Sequence, residues 1–429
     1  MRLTTVLLVL VALAGAAQPA AAGWSAPQRA AGPSDAAFGI AWHLAGNERG
    51  ERMIVYDSSL GVHSVFARAG RGFAPDAEVD IPDSADGEPY AAALDERGGA
   101  VVGWAFFDEG GDGSDSSCCE RVAISSRRPG GKFGRRLVIT PSGEEMLGVD
   151  IAVNPAGDMA VAGYAFSGIY GVFGRGGALG RPVLMGCCGD ILTIDDRGDT
   201  ALTWASRRGI SSVTRTRSGR IERRRTLLRS RVVDEYGQFA SDARGVRVGL
   251  WRETVSDGPG APRLRLALGL RDGDGQFGRP RYLEGPFEEN RGPSTRLAVA
   301  RSGAAVAAWS PDAGRGEAVR VVARRPGRPF GRVQTLRKAE YDARLIGLST
   351  AVNRSGRAVV AWAAVLPGGS VGVFAATAAP GRAFGRPRLV SRTGTGLVEG
   401  HVESAVDRSG RATVAWQQGQ EIRAATFRP

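Results

Sequence analysis

The sequence predicts an all-β fold, and three observations carry this prediction. First, a glycine is followed six residues later by a tryptophan at six places. These pairs are Gly98 and Trp104, Gly198 and Trp204, Gly245 and Trp251, Gly303 and Trp309, Gly356 and Trp362, and Gly410 and Trp416. Second, successive pairs lie about 40 to 60 residues apart, a blade-sized period. Third, the flanking runs are small, β-branched and apolar. Together they predict a single β-propeller of about eight four-stranded blades.

The turn before each tryptophan has a consistent chemistry. An aspartate or asparagine lies three residues before most of the glycines: Asp95, Asn154, Asp195, Asp242, Asn353 and Asp407. Such a side chain can cap a tight turn in which glycine supplies the positive φ. The runs on either side, such as 349–352 and 358–362, are almost continuously apolar. They match inner strands buried on both faces between neighbouring blades.

Two less regular units bring the count to eight. Gly157 and Tyr164 form a copy that is one residue longer. We interpret Trp42 as the end of the remaining unit, with residues 33–35 in place of the turn. Seven blades is the alternative, if either unit merges with a neighbour.

The outermost strand of each blade is predicted from a motif that contains proline. Residues 384–387 read Phe-Gly-Arg-Pro, and residues 277–280 and 179–182 are close copies. Proline cannot donate to a strand ladder, so it belongs at a sheet edge. The last repeat ends without this motif, whereas Trp24 to Pro27 has its aromatic-to-proline spacing. We therefore expect the N-terminal strand to complete the last blade and close the ring.

With these features the chain resembles the bacterial extracytoplasmic β-propellers, the broad group of WD40-like, kelch-like and sialidase-like repeats. The resemblance covers essentially the whole mature chain and implies architecture. The Gly-His and Trp-Asp pairs of WD40 repeats are absent. The sialidase Asp-box places its aspartate two residues before glycine, whereas here the acid lies three before. No family-specific catalytic motif is matched.

The first 22 residues predict an export signal. Arg2 precedes an apolar run at residues 6–17 and small residues that end at Ala22. We expect a signal peptide at 1–22 and one propeller domain at 23–429, secreted or extracytoplasmic after cleavage. No later stretch is apolar enough to predict a membrane span, and we expect a monomer. The net charge of +12 favours anionic partners, while export argues against nucleic acid.

Four cysteines form two adjacent pairs, Cys118 with Cys119 and Cys187 with Cys188. In an exported protein this predicts disulfides. Because both loops should emerge on one face of the ring, we expect two cross-links between them. Bonds within each pair, or a metal site of four thiolates, are the alternatives.

Two further clusters of charge could bind ligands. Asp108, Asp112 and Asp115 could bind calcium, although their spacing is not that of an EF-hand, and a solvated loop is the simpler interpretation. No other cofactor is expected. Arginines crowd residues 207–231. The candidates for anion binding there are Arg215, Arg217, Arg223 and Arg225. The alternative is an exposed blade edge protected from aggregation by charge.

The sequence contains no motif that predicts catalysis. His43, His63 and His401 are the only histidines, and none lies in a metal-ligand motif. We expect His43 and His401 near the closing seam of the ring, with ordinary packing or exposure as the simpler interpretation. The leading hypothesis is a non-enzymatic binding or scaffold module for a protein or an anionic glycan. The alternative is a sialidase-like carbohydrate-active hydrolase or lyase with its site in the central funnel.

Overall fold

The computed structural model describes most of the predicted propeller domain. The described segments are 23–32, 41–58, 61–74, 79–81, 88–107, 120–141, 146–186, 191–206, 208–230, 237–256, 263–271, 275–288, 294–311, 318–337, 345–366, 369–391 and 401–429. Their regular elements are all β-strands. Among these residues, no helix has the length and apolar character that crossing a membrane requires.

The strands form eight antiparallel sheets, and seven of them are built from consecutive strands. The described part of the chain begins with β1 (Gly23–Trp24) and β2 (Gln28–Ala31). Blade 1 contains β3 (Trp42–Gly46), β4 (Arg52–Ser58), β5 (Gly61–Ala67) and β6 (Val79–Asp80). Blade 2 contains β7 (Glu88–Leu94), β8 (Ala100–Phe107), β9 (Glu120–Arg127) and β10 (Leu137–Val138). Blade 3 contains β11 (Met146–Val153), β12 (Asp158–Ala165), β13 (Gly168–Arg175), β14 (Ala178–Leu179) and β15 (Val183–Gly186). Blade 4 contains β16 (Ile191–Ile194), β17 (Thr200–Ser206), β18 (Gly209–Arg215) and β19 (Arg225–Leu228).

The second half of the chain repeats this pattern. Blade 5 contains β20 (Gln238–Asp242), β21 (Gly245–Ser256), β22 (Arg263–Leu270) and β23 (Arg281–Glu288). Blade 6 contains β24 (Ser294–Val299), β25 (Ala305–Ser310), β26 (Val319–Arg324) and β27 (Gln334–Arg337). Blade 7 contains β28 (Leu345–Val352), β29 (Ala358–Val365), β30 (Val371–Ala378) and β31 (Arg388–Leu389). Blade 8 contains β32 (Val402–Val406), β33 (Ala412–Gln418) and β34 (Glu421–Arg428).

The first strand of each blade lies at the centre of the molecule. Each of these innermost strands contacts the innermost strands of the two neighbouring blades, and β32 of blade 8 contacts β3 of blade 1. The sheets therefore form a closed ring. The prediction of a single all-β propeller with eight four-stranded blades is confirmed.

The first and last described strands of the chain meet in blade 8. Strands β1 and β2 pair with β34, with Trp24 opposite Phe427 and Gln28 opposite Ala424. The Ser25 amide also donates to the Thr426 carbonyl at 2.9 Å. Blade 8 thus receives its outermost pairing from the N-terminal segment.

The sequence interpretation of the first unit was wrong in one respect. Trp42 lies on the innermost strand β3, whereas the repeat tryptophans lie on second strands. The turn of blade 1 is at Asn47 and Gly50, where the Asn47 side chain accepts the Glu51 amide at 3.0 Å. Six residues after Gly50 comes Tyr56 on the second strand, opposite Trp42. In blade 1 the repeat tryptophan is thus replaced by Tyr56, and Trp42 belongs to the neighbouring strand.

The Phe-Gly-Arg-Pro motif also lies slightly away from its predicted place. Phe277 forms a bridge with Arg271 at the end of the third strand, and the fourth strand begins only at Arg281. In blade 3 the motif starts at Leu179, the last residue of β14, and ends directly before β15. The proline therefore precedes the edge strand, where its missing N–H interrupts no ladder. Trp24 to Pro27 has a similar arrangement, because Trp24 ends β1 and Pro27 directly precedes β2.

The apolar core is divided among the interfaces between neighbouring blades. In several interfaces a buried aromatic residue of a second strand packs against the preceding blade. Trp104 packs on blade 1, Trp309 on blade 5 and Trp362 on blade 6, all fully buried. Tyr56 packs on blade 8 in the same way. The wedge between two sheets is widest at the outside of the propeller. A large aromatic side chain fills space there that alanine would leave empty.

Antiparallel strands place the connections of each blade at two opposite ends of the sheet. The connections from first to second strand and from third to fourth strand lie at one end, here called the turn face. The connections from second to third strand and from one blade to the next lie at the other end, here called the loop face. This division places the candidate sites described below.

Candidate functional site

A central channel runs through the ring and encloses a cavity of about 560 Å³. It is lined by the innermost strands of the blades. Each innermost strand is followed by a turn whose first residue is an aspartate, an asparagine or, in blade 6, Ala300. Two residues before this first turn residue, seven of the eight strands carry alanine and the eighth carries threonine. These are Ala45, Ala93, Ala152, Thr193, Ala240, Ala298, Ala351 and Ala405. Small side chains at this level let neighbouring strands approach without filling the channel.

The turn-face end of the channel carries a charged network. Arg354 forms an ion pair with Glu48 at 3.2 Å, and the Glu96 carboxylate accepts the Glu48 amide at 2.9 Å. Burial raises the pKa of Glu48, although the hydrogen bond and charge of Arg354 oppose this shift. These contacts join the turns of blades 1, 2 and 7. We therefore assign the network a structural role.

The innermost strands of six blades carry a polar side chain nearer the loop face. It lies four residues before the first residue of the turn that follows the strand. These are His43, Asp150, Gln238, Arg296, Ser349 and Glu403, with Ala91 and Ile191 on the other two. Several of them reach the following blade. Asp150 accepts the Leu192 amide at 3.0 Å, and Gln238 donates to the Thr295 carbonyl at 2.8 Å. The repeat therefore builds a polar ring at one level of the channel.

The densest part of this ring is at the seam between blades 8 and 1. Nδ1 of His43 lies 3.0 Å from Oε1 of Glu403, and Nε2 of His401 lies 3.1 Å from the same oxygen. The other carboxylate oxygen accepts the Leu44 amide. The His401 ring packs edge-on against Trp42, with 4.7 Å between ring centroids. The structure thus brings together the two histidines that the sequence placed near the seam and adds Glu403.

The protonation of this cluster follows from its contacts. Burial alone would raise the pKa of Glu403, but hydrogen bonds from His401 and His43 outweigh burial and lower this pKa to about 2. Burial also works against the charged form of His43, but the hydrogen bond and charge of Glu403 raise the pKa of His43 above its ordinary value. Burial lowers the pKa of nearby Arg296, against the attraction of Glu403. Among the described residues, His43, His401 and Glu403 form a group able to hold a metal ion.

Asp150 occupies the same ring position as Glu403, and among the described residues no cationic side chain pairs with it. Burial raises the pKa of Asp150 to about 6, against hydrogen bonds from the Leu192 amide and the Tyr164 hydroxyl. The Tyr164 hydroxyl lies 3.3 Å from the carboxylate. The two carboxyl groups of the ring therefore differ in pKa by several units.

A second candidate site lies on the turn face, where arginine repeats with the blades. In blades 2 to 7 it lies two positions after the first residue of the edge motif, which is Phe133, Leu179, Ile221, Phe277, Phe330 or Phe384. The six arginines are Arg135, Arg181, Arg223, Arg279, Arg332 and Arg386, here called the arginine arc. In every case the amide of the preceding residue donates to a carbonyl of the third strand, at 2.8 to 3.0 Å. The backbone thus holds the six residues in one repeated geometry.

The side chains of the arginine arc are all exposed. Within the described segments, none of the six donates a side-chain hydrogen bond or forms an ion pair. The described connections from third to fourth strand in blades 1 to 7 contain many other arginines but a single acid, Glu222. The described third-to-fourth connections are therefore strongly basic, whereas the first-to-second turns of the same face carry acids such as Glu48, Glu96 and Asp199.

The arginines that the sequence singled out have different surroundings. Arg215 stacks over the Phe173 ring of blade 3 at 3.8 Å, as Arg127 stacks over Phe66 of blade 1 at 3.4 Å. Arg217 pairs with Asp158 of blade 3 at 3.1 Å. These side chains therefore connect blades rather than forming one stripe.

The other two candidates for anion binding, Arg223 and Arg225, have exposed side chains. Arg225 pairs with Glu222 at 3.2 Å and lines a cavity of about 180 Å³ between blades 4 and 5. Arg223 belongs to the arginine arc. Its relation to the other five was missed because blade 4 has Ile221 in place of the aromatic residue. The bridge between Arg215 and Ile221 reveals the equivalence.

The remaining predicted sites lie outside the described residues. They are Cys118, Cys119, Cys187 and Cys188, and the calcium candidates Asp108, Asp112 and Asp115. Both segments connect strand ends on the loop face, between β8 and β9 and between β15 and β16. The disulfides and the calcium site stay predictions.

Comparison with known proteins gives neighbours in structure. No family model matches the chain, and no curated protein matches it. Among solved structures, the chain is similar to the β-propeller domain of the trilobed protease from Pyrococcus furiosus, with 9% identity, 80% of this chain and 93% of that chain covered, and a TM-score of 0.47. It is also similar to the BP39L lectin from Burkholderia pseudomallei, with 13% identity, 88% and 95% coverage, and a TM-score of 0.42. An ulvan lyase of family PL25 has 10% identity, 89% and 92% coverage, and a TM-score of 0.42.

Proposed function

We propose that this protein is an extracytoplasmic binding module that holds an acidic polysaccharide against its arginine arc. One observation carries the proposal: six consecutive blades present an exposed arginine from the same backbone position. A guanidinium group recognises carboxylate or sulfate through paired hydrogen bonds. An anionic polymer that carries a charge on each repeating unit can contact several arginines of the arc at once.

The electrostatics of the turn face support this choice of ligand. Exposed single arginines bind anions weakly, because water and salt screen the charge. Several arginines acting on one chain add their contributions, since each later contact forms at a high effective concentration. Glu222 is the single described acid in the third-to-fourth connections, so internal ion pairs compete little for the arginines.

The test compares two variants that change net charge equally. In the first, Arg279, Arg332 and Arg386 of the arc become glutamine. In the second, three exposed arginines at the loop face, Arg208, Arg229 and Arg263, become glutamine. Binding to polygalacturonate, dextran sulfate and neutral dextran is measured at low and moderate salt.

We expect the unmodified protein to bind both anionic polymers and to ignore neutral dextran. The arc variant should bind at least tenfold more weakly, whereas the loop-face variant should match the unmodified protein. Equal weakening in both variants would mean that net charge rather than the arc is responsible, and would overturn the proposal. Retention of an acidic protein but of neither polymer would overturn it as well.

A funnel enzyme is the second candidate, and one observation favours it. Asp150 has a raised pKa and Glu403 a lowered one at the same level of the channel. Separated carboxyl pKa values are typical of an acid and base pair in polysaccharide cleavage. This candidate predicts that the protein shortens the polymer it binds, measured as new reducing ends, and that Asp150→Asn abolishes this activity. Unchanged polymer length after long incubation would remove it.

A further inference from the structure

We propose that His43, His401 and Glu403 bind a divalent transition-metal ion at the seam between blades 8 and 1. This site is separate from the arginine arc and does not depend on the proposed function. Its residues come from both ends of the mature chain, since His43 lies on β3 and Glu403 on β32. The ion would therefore join the first blade to the last.

The positions of the donor atoms carry the proposal. Two ligand atoms that each lie about 2.0 to 2.1 Å from a tetrahedral zinc ion are roughly 3.3 Å apart. Nδ1 of His43 and Nε2 of His401 lie 3.0 and 3.1 Å from one oxygen of Glu403, and all three donor atoms lie within 4.8 Å of one another. Small side-chain shifts would place an ion among them.

The surroundings orient these donors as metal sites usually require. The second oxygen of Glu403 is occupied by the Leu44 amide, which turns the first oxygen toward the histidines. The His43 ring also has a backbone hydrogen bond at Pro89. Proline offers only a carbonyl, so the ring donates there, and Nδ1 is left to face Glu403. A histidine that donates one N–H to a carbonyl presents its other nitrogen to a metal.

Exposure and ligand type indicate which ion would bind. The side chains of His43, His401 and Glu403 are 28%, 38% and 21% exposed, so an ion and a bound water can reach them. Two imidazoles and one carboxylate suit zinc, nickel, copper or cobalt, whereas calcium and magnesium prefer oxygen ligands. The positive charge of Arg296 near Glu403 weakens the binding of any cation. The two imidazole ligands must therefore supply most of the affinity for the ion.

The alternative for the same atoms is a hydrogen-bonded set in which both histidines donate to Glu403. Isothermal titration with zinc sulfate distinguishes the two arrangements. The full chain is used after chelation and without a histidine tag, because a tag binds the same ions. We expect one zinc ion per chain with a Kd of about 10 μM or tighter, and no competition by excess calcium.

Variants locate the ion within the chain. His401→Gln and Glu403→Gln should each weaken zinc binding at least thirtyfold, whereas His63→Gln, which changes the histidine outside the cluster, should leave it unchanged. Thermal melting without metal shows whether each variant folds. In the unmodified protein, zinc at a hundredfold excess over Kd should raise Tm by roughly 3 °C.

Cobalt(II) gives an independent readout of the ligands. Nitrogen and oxygen ligands give weak visible bands, whereas thiolates add an intense charge-transfer band. We expect only the weak bands, and we expect zinc to displace the cobalt. A charge-transfer band would assign the ion to the cysteines and overturn the proposal. Absence of zinc binding by a folded chain, or unchanged binding in folded His401→Gln and Glu403→Gln, would overturn it too.

Discussion

Trp24 and Phe427 face each other in register across strands β1 and β34, with ring centroids 5.5 Å apart. The two residues come from opposite ends of the described part of the chain. Their contact joins the N-terminal segment to the blade formed by the C-terminal strands. The N-terminal segment is therefore held on blade 8 by side-chain packing as well as by backbone pairing.

Trp24→Ala should destabilise the propeller through this contact. Loss of a partly buried indole removes apolar burial and leaves a gap beside Phe427, at a cost of about 2 to 3 kcal/mol. Ile221→Ala is the matched control, because Ile221 occupies the equivalent motif position in blade 4 and is 45% exposed. It should cost less than about 1 kcal/mol. Urea unfolding measures both, and equal losses would contradict a special role for the Trp24 contact.

Asn353→Asp should weaken the interface between blades 7 and 8. The buried Asn353 side chain accepts the Arg357 amide of its own turn and donates to the Asp407 carbonyl of the next blade at 2.6 Å. Aspartate keeps the first contact but places a carboxylate oxygen against that carbonyl. We expect a loss of about 2 to 4 kcal/mol in the free energy of unfolding.

Asp195→Asn is the control for this change. Asp195 caps the corresponding turn of blade 4 through its own side chain. Burial raises the pKa of Asp195, so removal of its charge should cost little or should stabilise the protein. If Asp195→Asn destabilised the protein as much as Asn353→Asp, the contact between blades would not be the cause.

Asp150 should give the protein a distinctive pH dependence. Its pKa of about 6 in the folded protein lies above the ordinary value of roughly 3.9, so the folded state binds the proton more tightly than the unfolded state. Stability from this group is complete below the unfolded pKa and is lost as pH rises through about 6.

Asp150→Asn removes this titration. The Tm of the unmodified protein, measured relative to that of the variant, should fall between pH 4 and pH 6.5 and then level off. A rising difference over the same range would contradict the assignment.

The sequence predicted the number of blades because the scaffold repeats and each blade must fill the same wedge. It misplaced the first unit because Tyr56 replaces tryptophan there, and because Trp42 happens to lie one strand earlier. Spacing alone cannot tell which strand a large aromatic residue occupies. The pairing of Trp42 with Tyr56 resolves this.

The sites were harder to predict than the fold. His43 and His401 were correctly expected near the seam, but nothing local marks Glu403 as their partner, because the contact spans 360 residues. The arginine arc was recognisable in principle, since five of its members follow a Gly in the edge motif. The high density of arginine at 207–231 favoured Arg215 and Arg217 as candidates, but these two side chains join neighbouring blades.

The most direct test of the account is the affinity for polygalacturonate as the arc is removed one arginine at a time, from Arg135 to Arg386. We predict a stepwise fall in affinity and a smaller salt dependence with each Arg→Gln change, because each arginine contributes one contact to the same polymer. Undiminished affinity and salt dependence in a folded protein that lacks all six arginines would contradict the central claim.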